Sequence, residues 1–276
     1  FLVLEEGRLS THKTLSTPDD PAQAVVDGLR EFGVLNQVPV VHGSTVATNA
    51  LLERRGARTA LITTRGFEDI LQIGRQTRPS LYDLLQDKPL PLAERDLSFG
   101  APERVDKRGN VVLPLTSEEA KALVRRVQEA GVEAVAVSLL FSFLNPGHEE
   151  FLLELLEALP SRPFVSISSR VLPEFREYER TSTVTVNAYV GPITSRYMDR
   201  LQANLGEKGL RIMQSSGGSI SAGQAASQPV RTILSGPAGG VVGAFWEASQ
   251  AGYAEVITLD MGGTSTDVSL CPGRVQ

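Results

Sequence analysis

Two glycine-rich turns, each following a run rich in β-branched residues, place the strongest constraint on the fold of this chain. The first is SGPAGG at 235–240, and the second lies within LDMGGTSTD at 259–267. The residues around them predict a strand at 230–234, a helix at 237–250 and strands at 255–260 and 265–270. A strand that runs through a glycine turn into a helix is typical of nucleotide-binding α/β folds.

The spacing of these glycines argues against a dinucleotide-binding fold. It is G-x-x-G-G-x-x-G from Gly236 to Gly243, whereas the dinucleotide fingerprint is G-x-G-x-x-G. Asp260 stands where that fold has its ribose-binding acid, but it leads directly into Gly262 and Gly263 and a further strand. The P-loop pattern and the G-x-S-x-G pattern of serine hydrolases are both absent from the sequence. The hypothesis of an NAD-dependent enzyme is therefore disfavoured, and failure of the protein to bind NADH would exclude this hypothesis.

The second turn has the composition of a phosphate-binding hairpin. Gly262 and Gly263 permit positive φ and let backbone N–H groups approach an anion. The hydroxyls at 264–266 can donate to phosphate oxygens, and the Asp260 carboxylate is placed to hold a hydrated Mg²⁺ that bridges phosphates. The alternative is an ordinary tight hairpin with polar turn residues. Because Asp260 and Asp267 bracket the turn, we favour phosphate binding.

The rest of the chain alternates between predicted strands and helices, which favours an α/β fold with mixed sheets flanked by helices. The pattern predicts two strands around Gly7, a helix ending at Gly33, a strand at 38–43, a helix capped by Ser44, a strand at 57–64, a helix at 117–130, a strand at 133–140, a helix at 147–158 and strands at 163–168 and 210–215. Residues 75–115 read as irregular structure or as an excursion from the alternating pattern, and 173–209 read as a pair of helices with an ambiguous Thr/Val-rich middle. A domain boundary is expected near 170–190.

Composition excludes several classes of function. A net charge of -5 argues against nucleic acid binding, which needs a concentrated basic face. The single cysteine, Cys271, excludes an internal disulfide framework and, with no signal peptide, suits the cytoplasm. The longest apolar stretch, at 134–141, is too short to span a membrane. The three scattered histidines form no zinc pattern.

Three separated segments, in order along the chain, resemble the hydantoinase A/5-oxoprolinase family of actin-like ATPases. They are VHGSTVATNALLERRGARTALITTRGFEDILQIGRQTRPSLYDL at 41–84, RTILSGPAGGVVGA at 231–244 and LDMGGTSTD at 259–267. The resemblance implies an actin-like (ribonuclease H-like) ATPase architecture. Residues 1–175 would form the hydantoinase/oxoprolinase N-terminal region, and 176–276 would begin the ATPase domain with its second phosphate loop. Ser44 stands where the family more often has Thr, and it keeps the hydroxyl.

Two further family segments do not occur in this sequence. The family's first phosphate loop, D-x-G-G-T-F-T-D, is expected immediately before the strand that FLVLEE resembles, and the adenosine-binding segment is expected beyond residue 276. The chain is therefore expected to be a fragment truncated at both ends, which carries one of two phosphate loops.

The resemblance also implies the chemistry. Family members open hydantoin-like or 5-oxoproline rings with ATP and Mg²⁺, by phosphorylating the amide oxygen before hydrolysis, and often require a second, hydantoinase B-like subunit. Asp260 would organise Mg²⁺, and Asp267 would orient either the loop or the attacking group. The cofactor-binding residues would be Gly262, Gly263, Thr264, Thr266, Gly236 and Gly239.

The stretch His42–Gly43–Ser44–Thr45 is the candidate contact for the cyclic amide substrate or a phosphate. It ends a predicted strand and opens a helix, so its N–H groups point toward an anion or a carbonyl. Asn49, one turn later, and Arg75 are further candidates. The alternative is that Ser44 is an ordinary helix cap, worth about 1 kcal/mol. By the same reasoning, His42 can be a core histidine whose hydrogen bonds are satisfied.

Two functions of other kinds remain open beside ring hydrolysis. One is an ATP-dependent carboxylase subunit of the acetone carboxylase type, and the other is a non-catalytic actin-like nucleotide-binding module. Chaperones with this fold have no counterpart of the 41–84 segment, which favours an enzyme. An ATPase assay stimulated by ring substrates would decide between these functions.

Overall fold

The computed structural model describes residues 1–276 except 18–19, 78–79, 81, 84, 206–208, 262–265 and 276. It is an α/β structure with several sheets flanked by helices, which confirms the predicted fold class. The chain divides into two compact units. The first unit is Phe1–Asn49 together with Thr194–Gln276, and the second unit is Ala50–Ile193. The sequence boundary at 175/176 concerns family regions and stays a prediction.

Strands and helices alternate over most of the described residues. The strands are β1 (Leu2–Glu5), β2 (Arg8–Thr11), β3 (Val40–His42), β4 (Thr59–Thr64), β5 (Ser98–Ala101), β6 (Arg104–Val105), β7 (Val111–Leu113), β8 (Ala134–Ser138), β9 (Phe164–Ile167), β10 (Leu210–Met213), β11 (Ser219–Ser221), β12 (Glu255–Met261) and β13 (Thr266–Pro272). The α-helices are α1 (Pro21–Glu31), α2 (Val46–Leu52), α3 (Ile70–Ile73), α4 (Ser117–Glu129), α5 (Gly147–Glu157), α6 (Ser168–Val171), α7 (Glu177–Leu205), α8 (Ala222–Ser227) and α9 (Ser235–Gln250).

The second unit is built on a four-stranded parallel sheet in the order β5-β4-β8-β9. Every residue of β4 and of β8 is buried, as expected for central parallel strands that are covered on both faces. Leucines and valines of α4 and α5 pack on this sheet to form the core. Helix α4 begins with a capping box between Thr116 and Glu119, which satisfies two N–H groups at the helix start.

The first unit contains a three-stranded sheet in the order β11-β10-β3, in which β10 pairs antiparallel with β11 and parallel with β3. Its core combines Leu29 of α1, Ile212 of β10, Ala225 of α8 and the last turns of α7, including Leu201. The hairpins β1–β2 and β12–β13 belong to the same unit. The first hairpin turns at Glu6 and Gly7, which confirms the predicted turn, and both residues have positive φ.

Helix α7 corrects the prediction of a helix pair at 173–209, because residues 177–205 form one helix of 29 residues. Threonine and valine lower helix propensity, but the middle of α7 is buried on most sides, and burial outweighs propensity. The Thr185 hydroxyl donates to the Thr181 carbonyl oxygen at 2.7 Å, which satisfies it within the helix. Pro192 lies inside this helix. Among the described helices, including α7, none combines the length and apolarity needed to cross a membrane.

Two other predictions of secondary structure were wrong. The strand at 230–234 is a 3₁₀ turn at Pro229–Thr232, because Pro229 fixes φ and the Thr232 hydroxyl donates to the Pro229 carbonyl oxygen at 2.8 Å. Residues 75–115 are not wholly irregular, since they contain a 3₁₀ turn at Arg95–Leu97 and the strands β5, β6 and β7. These strands have only two to four residues, too few to show a clear period in the sequence.

Candidate functional site

The turn between β3 and α2 lies directly against the start of α9. The Ser235 hydroxyl accepts a hydrogen bond from the Ser44 backbone N–H at 3.4 Å and donates one to the Ser44 carbonyl oxygen at 3.1 Å. Beside this pair, the Leu234 N–H donates to Thr48 Oγ1 at 2.9 Å. Ser44 and Ser235 are both buried. The predicted segments 42–45 and 235–240 are therefore parts of one cluster in the first unit.

The two segments lie in contact at their glycines, at distances that a Cβ would also tolerate. A Cβ at Gly43 would lie 3.7 Å from Gly236 Cα, and a Cβ at Gly236 would lie 3.5 Å from Thr45 Cγ2. Leu234, just before α9, has a left-handed φ of 63°. That conformation costs a non-glycine residue about 1–2 kcal/mol. The hydrogen bond to Thr48 therefore helps to hold a strained junction.

Ser44 caps α2, which bears out one of its two interpretations. Its hydroxyl accepts from the Val46 N–H at 3.2 Å, and its own N–H is bonded to Ser235. Two N–H groups at this helix start are thus already satisfied, which leaves fewer of them for an anion. Asn49 is exposed, and its Nδ2 donates to Thr45 Oγ1 at 3.5 Å. A substrate contact by Gly43, Ser44, Thr45 or Asn49 stays a prediction.

His42 and Tyr197 form a hydrogen-bonded pair at the end of β3. His42 Nε2 lies 2.7 Å from the Tyr197 hydroxyl oxygen. Burial lowers the pKa of His42 from 6.5 to about 4, so its ring is neutral at neutral pH. Burial also raises the pKa of Tyr197 to about 12, against the opposing effect of a hydrogen bond with the Ser44 side chain. The tyrosine hydroxyl therefore stays protonated and joins His42 to Ser44. Any substrate role of His42 stays a prediction.

The hairpin β12–β13 places the two candidate carboxylates directly opposite each other, because Asp260 pairs with Asp267. Directly paired residues of antiparallel strands project to the same face. A Cβ at Gly240 would lie 3.8 Å from Asp260 Oδ2, so the Asp260 carboxylate points toward the first turns of α9. At the preceding residue of the helix, a Cβ at Gly239 would lie 2.9 Å from Met213 Sδ. Gly239 thus has a packing reason to be glycine, and its predicted cofactor role stays a prediction.

The tip of this hairpin lies outside the described residues. Gly262, Gly263 and Thr264 belong to it, so their predicted phosphate contacts stay predictions. Thr266 is the first described residue after the tip and is exposed on β13.

The oxygen donors beside the hairpin tip suit a hydrated Mg²⁺. Within the described ranges, no group of three or more His, Cys, Asp or Glu side chains could hold a metal ion. Mg²⁺, however, is commonly held by one or two carboxylates, several waters and substrate phosphates. Asp260 and Asp267 are such a pair, and like charges opposite each other on paired strands repel. A cation between them would offset that repulsion.

Arg75 belongs to the second unit. Its Nε and Nη2 atoms both lie 2.7 Å from Glu179 Oε1. The Glu179 backbone N–H and the Arg75 side chain, in that order, lower the pKa of the Glu179 carboxyl. The role of Arg75 in substrate binding stays a prediction.

Sequence reasoning missed three members of the cluster: Tyr197, Thr48 and Ser235. Ser235 lies inside the first glycine-rich turn, so the motif itself pointed to it. The contact of Tyr197 with His42 joins positions 155 residues apart, and no local pattern signals such a contact. Thr48 follows Ser44 by four residues, and this spacing indicates that the two residues are neighbours on one face of the helix.

The fold matches parts of larger solved structures. A nucleotide-free structure of acetone carboxylase, from work on ATP-dependent acetone carboxylation, superposes with a TM-score of 0.87 and 30% identity. The match covers 100% of this chain and 42% of that chain. Family models match residues 1–159 as "Hydantoinase/oxoprolinase N-terminal region" and 180–276 as "Hydantoinase/oxoprolinase". The chain belongs to the hydantoinase/oxoprolinase family.

Two curated relatives refine this comparison. The chain is 34% identical to caprolactamase subunit alpha of Pseudomonas jessenii, over 99% of this chain and 42% of the relative. It is 38% identical to 5-oxoprolinase 1 of Arabidopsis thaliana, over 85% of this chain and 20% of the relative. The chain therefore spans less than half the length of either protein.

Proposed function

We propose that this chain is a subunit or fragment of an ATP-dependent amidohydrolase that opens a hydantoin-like or 5-oxoproline ring. Membership of the hydantoinase/oxoprolinase family supports this, as do relatives named caprolactamase and 5-oxoprolinase. The observation that carries the proposal is the Asp260 carboxylate, opposite Asp267 and directed at the start of α9.

Each part of the first-unit cluster has a distinct task in this proposal. Asp260, with Asp267 beside it, would hold the hydrated Mg²⁺. Gly262, Gly263, Thr264 and Thr266 would hold the terminal phosphates of ATP, and Gly236 and Gly239 at the start of α9 would also contact the nucleotide. Bound Mg²⁺–ATP would supply the phosphoryl group that activates the amide oxygen of the ring. The protein contributes mainly position and charge stabilisation.

His42 and its neighbours would contact the substrate without adding charge. A neutral imidazole donates at one nitrogen and accepts at the other, and Tyr197 fixes one of these bonds. The ring nitrogen that does not face Tyr197 would then contact a carbonyl or N–H of the cyclic amide. Ser44 and Thr45 stand next along the chain, with Asn49 one turn further.

A partner subunit is part of the proposal. The caprolactamase relative is named as a subunit, and so is the beta subunit of acetone carboxylase from Xanthobacter autotrophicus. We expect a hydantoinase B-like chain or domain to be needed for complete turnover. Co-expression followed by size-exclusion chromatography would test this, and full activity of the protein alone would contradict it.

Carboxylation is the second candidate, and the likeness to the acetone carboxylase structure favours it. In that case ATP would activate a ketone, and bicarbonate would be consumed. The two functions differ in a simple observable, because only carboxylation makes ATP hydrolysis depend on bicarbonate.

The decisive experiment measures ATP hydrolysis by the full-length protein with its partner. The probes are 5-oxoproline, hydantoin, caprolactam, and acetone with bicarbonate. We expect a cyclic amide to stimulate hydrolysis at least tenfold, and Asp260→Asn to remove the stimulation. Asp199→Asn, at an exposed position of α7 in the same unit, is the matched control and should keep it. Stimulation by acetone and bicarbonate alone would instead establish the carboxylase.

A further inference from the structure

The second unit contains a cavity of about 470 Å³. Its walls come from the end of α3, the stretch from Lys88 to Leu92, and one face of α7. All the described residues that line it belong to this unit, whereas the cluster around Ser44 belongs to the first. Leucines, prolines and the Tyr178 ring form the apolar part of the lining. The volume and this lining suit a small molecule with an aliphatic body.

One cation of the cavity has no anionic partner among the described residues. Lys88 Nζ donates to the Ile73 carbonyl oxygen at 3.0 Å, and no described carboxylate lies within ion-pair distance of it. An ammonium group has three donors, so two remain for a ligand. Arg75, the other described cation of the lining, is paired through Nε and Nη2 with Glu179 Oε1. The charge of Lys88 therefore favours a ligand with one carboxylate.

Two side-chain oxygens of the lining are suited to accept hydrogen bonds from a ligand. Gln72 Oε1 is buried and has no hydrogen-bond partner in the described part of the chain. The terminal amide of a glutamine rotates over a broad range, so this oxygen can turn toward a ligand. The buried Thr185 hydroxyl donates its proton to the Thr181 carbonyl oxygen at 2.7 Å, so toward a ligand it can only accept. The ligand should therefore supply two donors.

Two acceptors without a neighbouring anion favour a neutral –NH₂ group. A urea or primary amide nitrogen carries two N–H donors, whereas each nitrogen of a cyclic amide carries at most one. An ammonium group could serve both acceptors, but the described lining contains no Asp or Glu to balance its charge. Burying a charge without a partner is unfavourable. The polarity of the cavity thus selects an open-chain molecule with a carboxylate and a terminal –NH₂.

We propose that this cavity binds an open-chain ureido acid, with its carboxylate at Lys88 and its terminal –NH₂ at Gln72 and Thr185. Hydrolysis of a hydantoin-like ring yields such a molecule. The amide C–N bond breaks, the carbon gains the oxygen of water and becomes the carboxylate, and the nitrogen takes a proton to become –NH₂. The inference rests on the proposed ring-opening function for the source of this ligand. The cavity is a second site that holds the opened molecule and not the ring.

The test is calorimetry on the full-length protein without ATP, with N-carbamoyl-L-leucine as the probe. Three analogues each lack one feature. N-acetyl-L-leucine has a methyl group in place of the terminal –NH₂, N-carbamoyl-L-leucinamide lacks the carboxylate, and 5-isobutylhydantoin is the closed ring. We expect N-carbamoyl-L-leucine to bind at least tenfold more tightly than each analogue, because each loses hydrogen bonds to the lining.

Substitutions assign these preferences to single residues. Lys88→Met should weaken binding of N-carbamoyl-L-leucine at least tenfold and change binding of N-carbamoyl-L-leucinamide less than twofold. Thr185→Val keeps the shape of the side chain and removes the acceptor, so it should weaken N-carbamoyl-L-leucine and leave N-acetyl-L-leucine within twofold. Gln72→Leu should show the same selectivity. Lys121→Met, at an exposed lysine of α4 in the same unit, is the matched control and should bind all four compounds as the wild type does.

Equal affinity for N-carbamoyl-L-leucine and the closed ring, or no binding of N-carbamoyl-L-leucine, would overturn the proposal. Equal effects of Lys88→Met and Lys121→Met would also overturn it. Lys88 is exposed, so its variant should fold, and its circular dichroism spectrum and Tm would verify that. The proposed function fails by a different observation, an absence of ATP-dependent turnover with every ring, which the calorimetry without ATP does not measure.

Discussion

At the scale of single residues, His42 shows how burial sets the charge of a candidate contact. Its ring bonds to Tyr197, and burial lowers its pKa to about 4. Protonation would place a charge on a buried ring whose hydrogen-bond partner, the Tyr197 hydroxyl, is neutral. The neutral ring is therefore the form that the folded protein stabilises.

This depressed pKa predicts an acid-sensitive stability. Between pH 6.5 and 4 the unfolded chain takes up a proton on His42 that the folded chain does not. The contribution of neutral His42 to the free energy of unfolding is complete above pH 6.5. It is lost as the pH falls toward 4, and the loss is at most about 3 kcal/mol. His42→Gln stays neutral and can still bond to Tyr197, so its unfolding free energy should fall less over this range. Urea unfolding at several pH values measures it.

The control for this prediction is His12→Gln, at a less buried histidine that bonds to Glu31 at 2.9 Å. The free energy of unfolding of His12→Gln should still fall with acid as it does in the wild type, whereas His42→Gln should remove most of that fall. If both variants follow the wild-type pH profile, His42 is not the group responsible.

Local sequence patterns predicted the cap and turn roles of single residues well. They did not predict contacts between positions that are far apart in the chain. Ser44 was predicted as a cap because serine before an apolar helical run satisfies N–H groups nearby in the chain. Gly7 was predicted as a turn for an equally local reason. The contacts of Ser44 with Ser235 and of His42 with Tyr197 span 191 and 155 positions, and only the tertiary fold creates them. The sequence therefore predicted the separate segments of the candidate site, but it did not predict that these segments contact one another.

At the scale of elements, α7 depends on close packing rather than on helix propensity. Its threonine- and valine-rich middle misled the sequence prediction, because the side chains that disfavour an isolated helix are buried here. The alternating strands and helices at 117–167 were predicted correctly, since each has a clear period and a recognisable start. Elements of two to four residues in 95–113 carry too little pattern to be predicted.

The packing of α7 leads to a stability prediction at Gly191. A Cβ there would lie 2.3 Å from two carbons of the Phe164 ring on β9. We expect Gly191→Ala to destabilise the protein by about 1–3 kcal/mol through overpacking, although alanine favours helix. Thermal unfolding followed by circular dichroism measures this change.

Gly243→Ala in α9 is the matched control, because among the described residues no atom outside the helix's own backbone lies within 4 Å of a Cβ at that position. It should leave stability unchanged or raise it by up to about 1 kcal/mol. A Gly191→Ala protein as stable as this control would show that α7 does not pack on the Phe164 ring.

At the scale of the whole molecule, the proposed nucleotide site should be visible as ligand-dependent stability. A ligand that binds only the folded state stabilises it by about 2.7 kcal/mol at a hundredfold excess over Kd. Mg²⁺–ATP should therefore raise the Tm of the full-length protein. Asp260→Asn should remove most of that rise, because Asp260 and Asp267 together would hold the cation.

The same variant should behave differently without ligand, and this contrast separates a metal role from a structural one. Removing one of two directly opposed carboxylates relieves up to about 1 kcal/mol of repulsion across the strand pair. The ligand-free Tm of Asp260→Asn should thus equal or slightly exceed that of the wild type, while Asp199→Asn matches the wild type in both conditions. A lowered ligand-free Tm would mean that Asp260 stabilises the hairpin itself. A full response to Mg²⁺–ATP in Asp260→Asn would contradict its role in holding the cation.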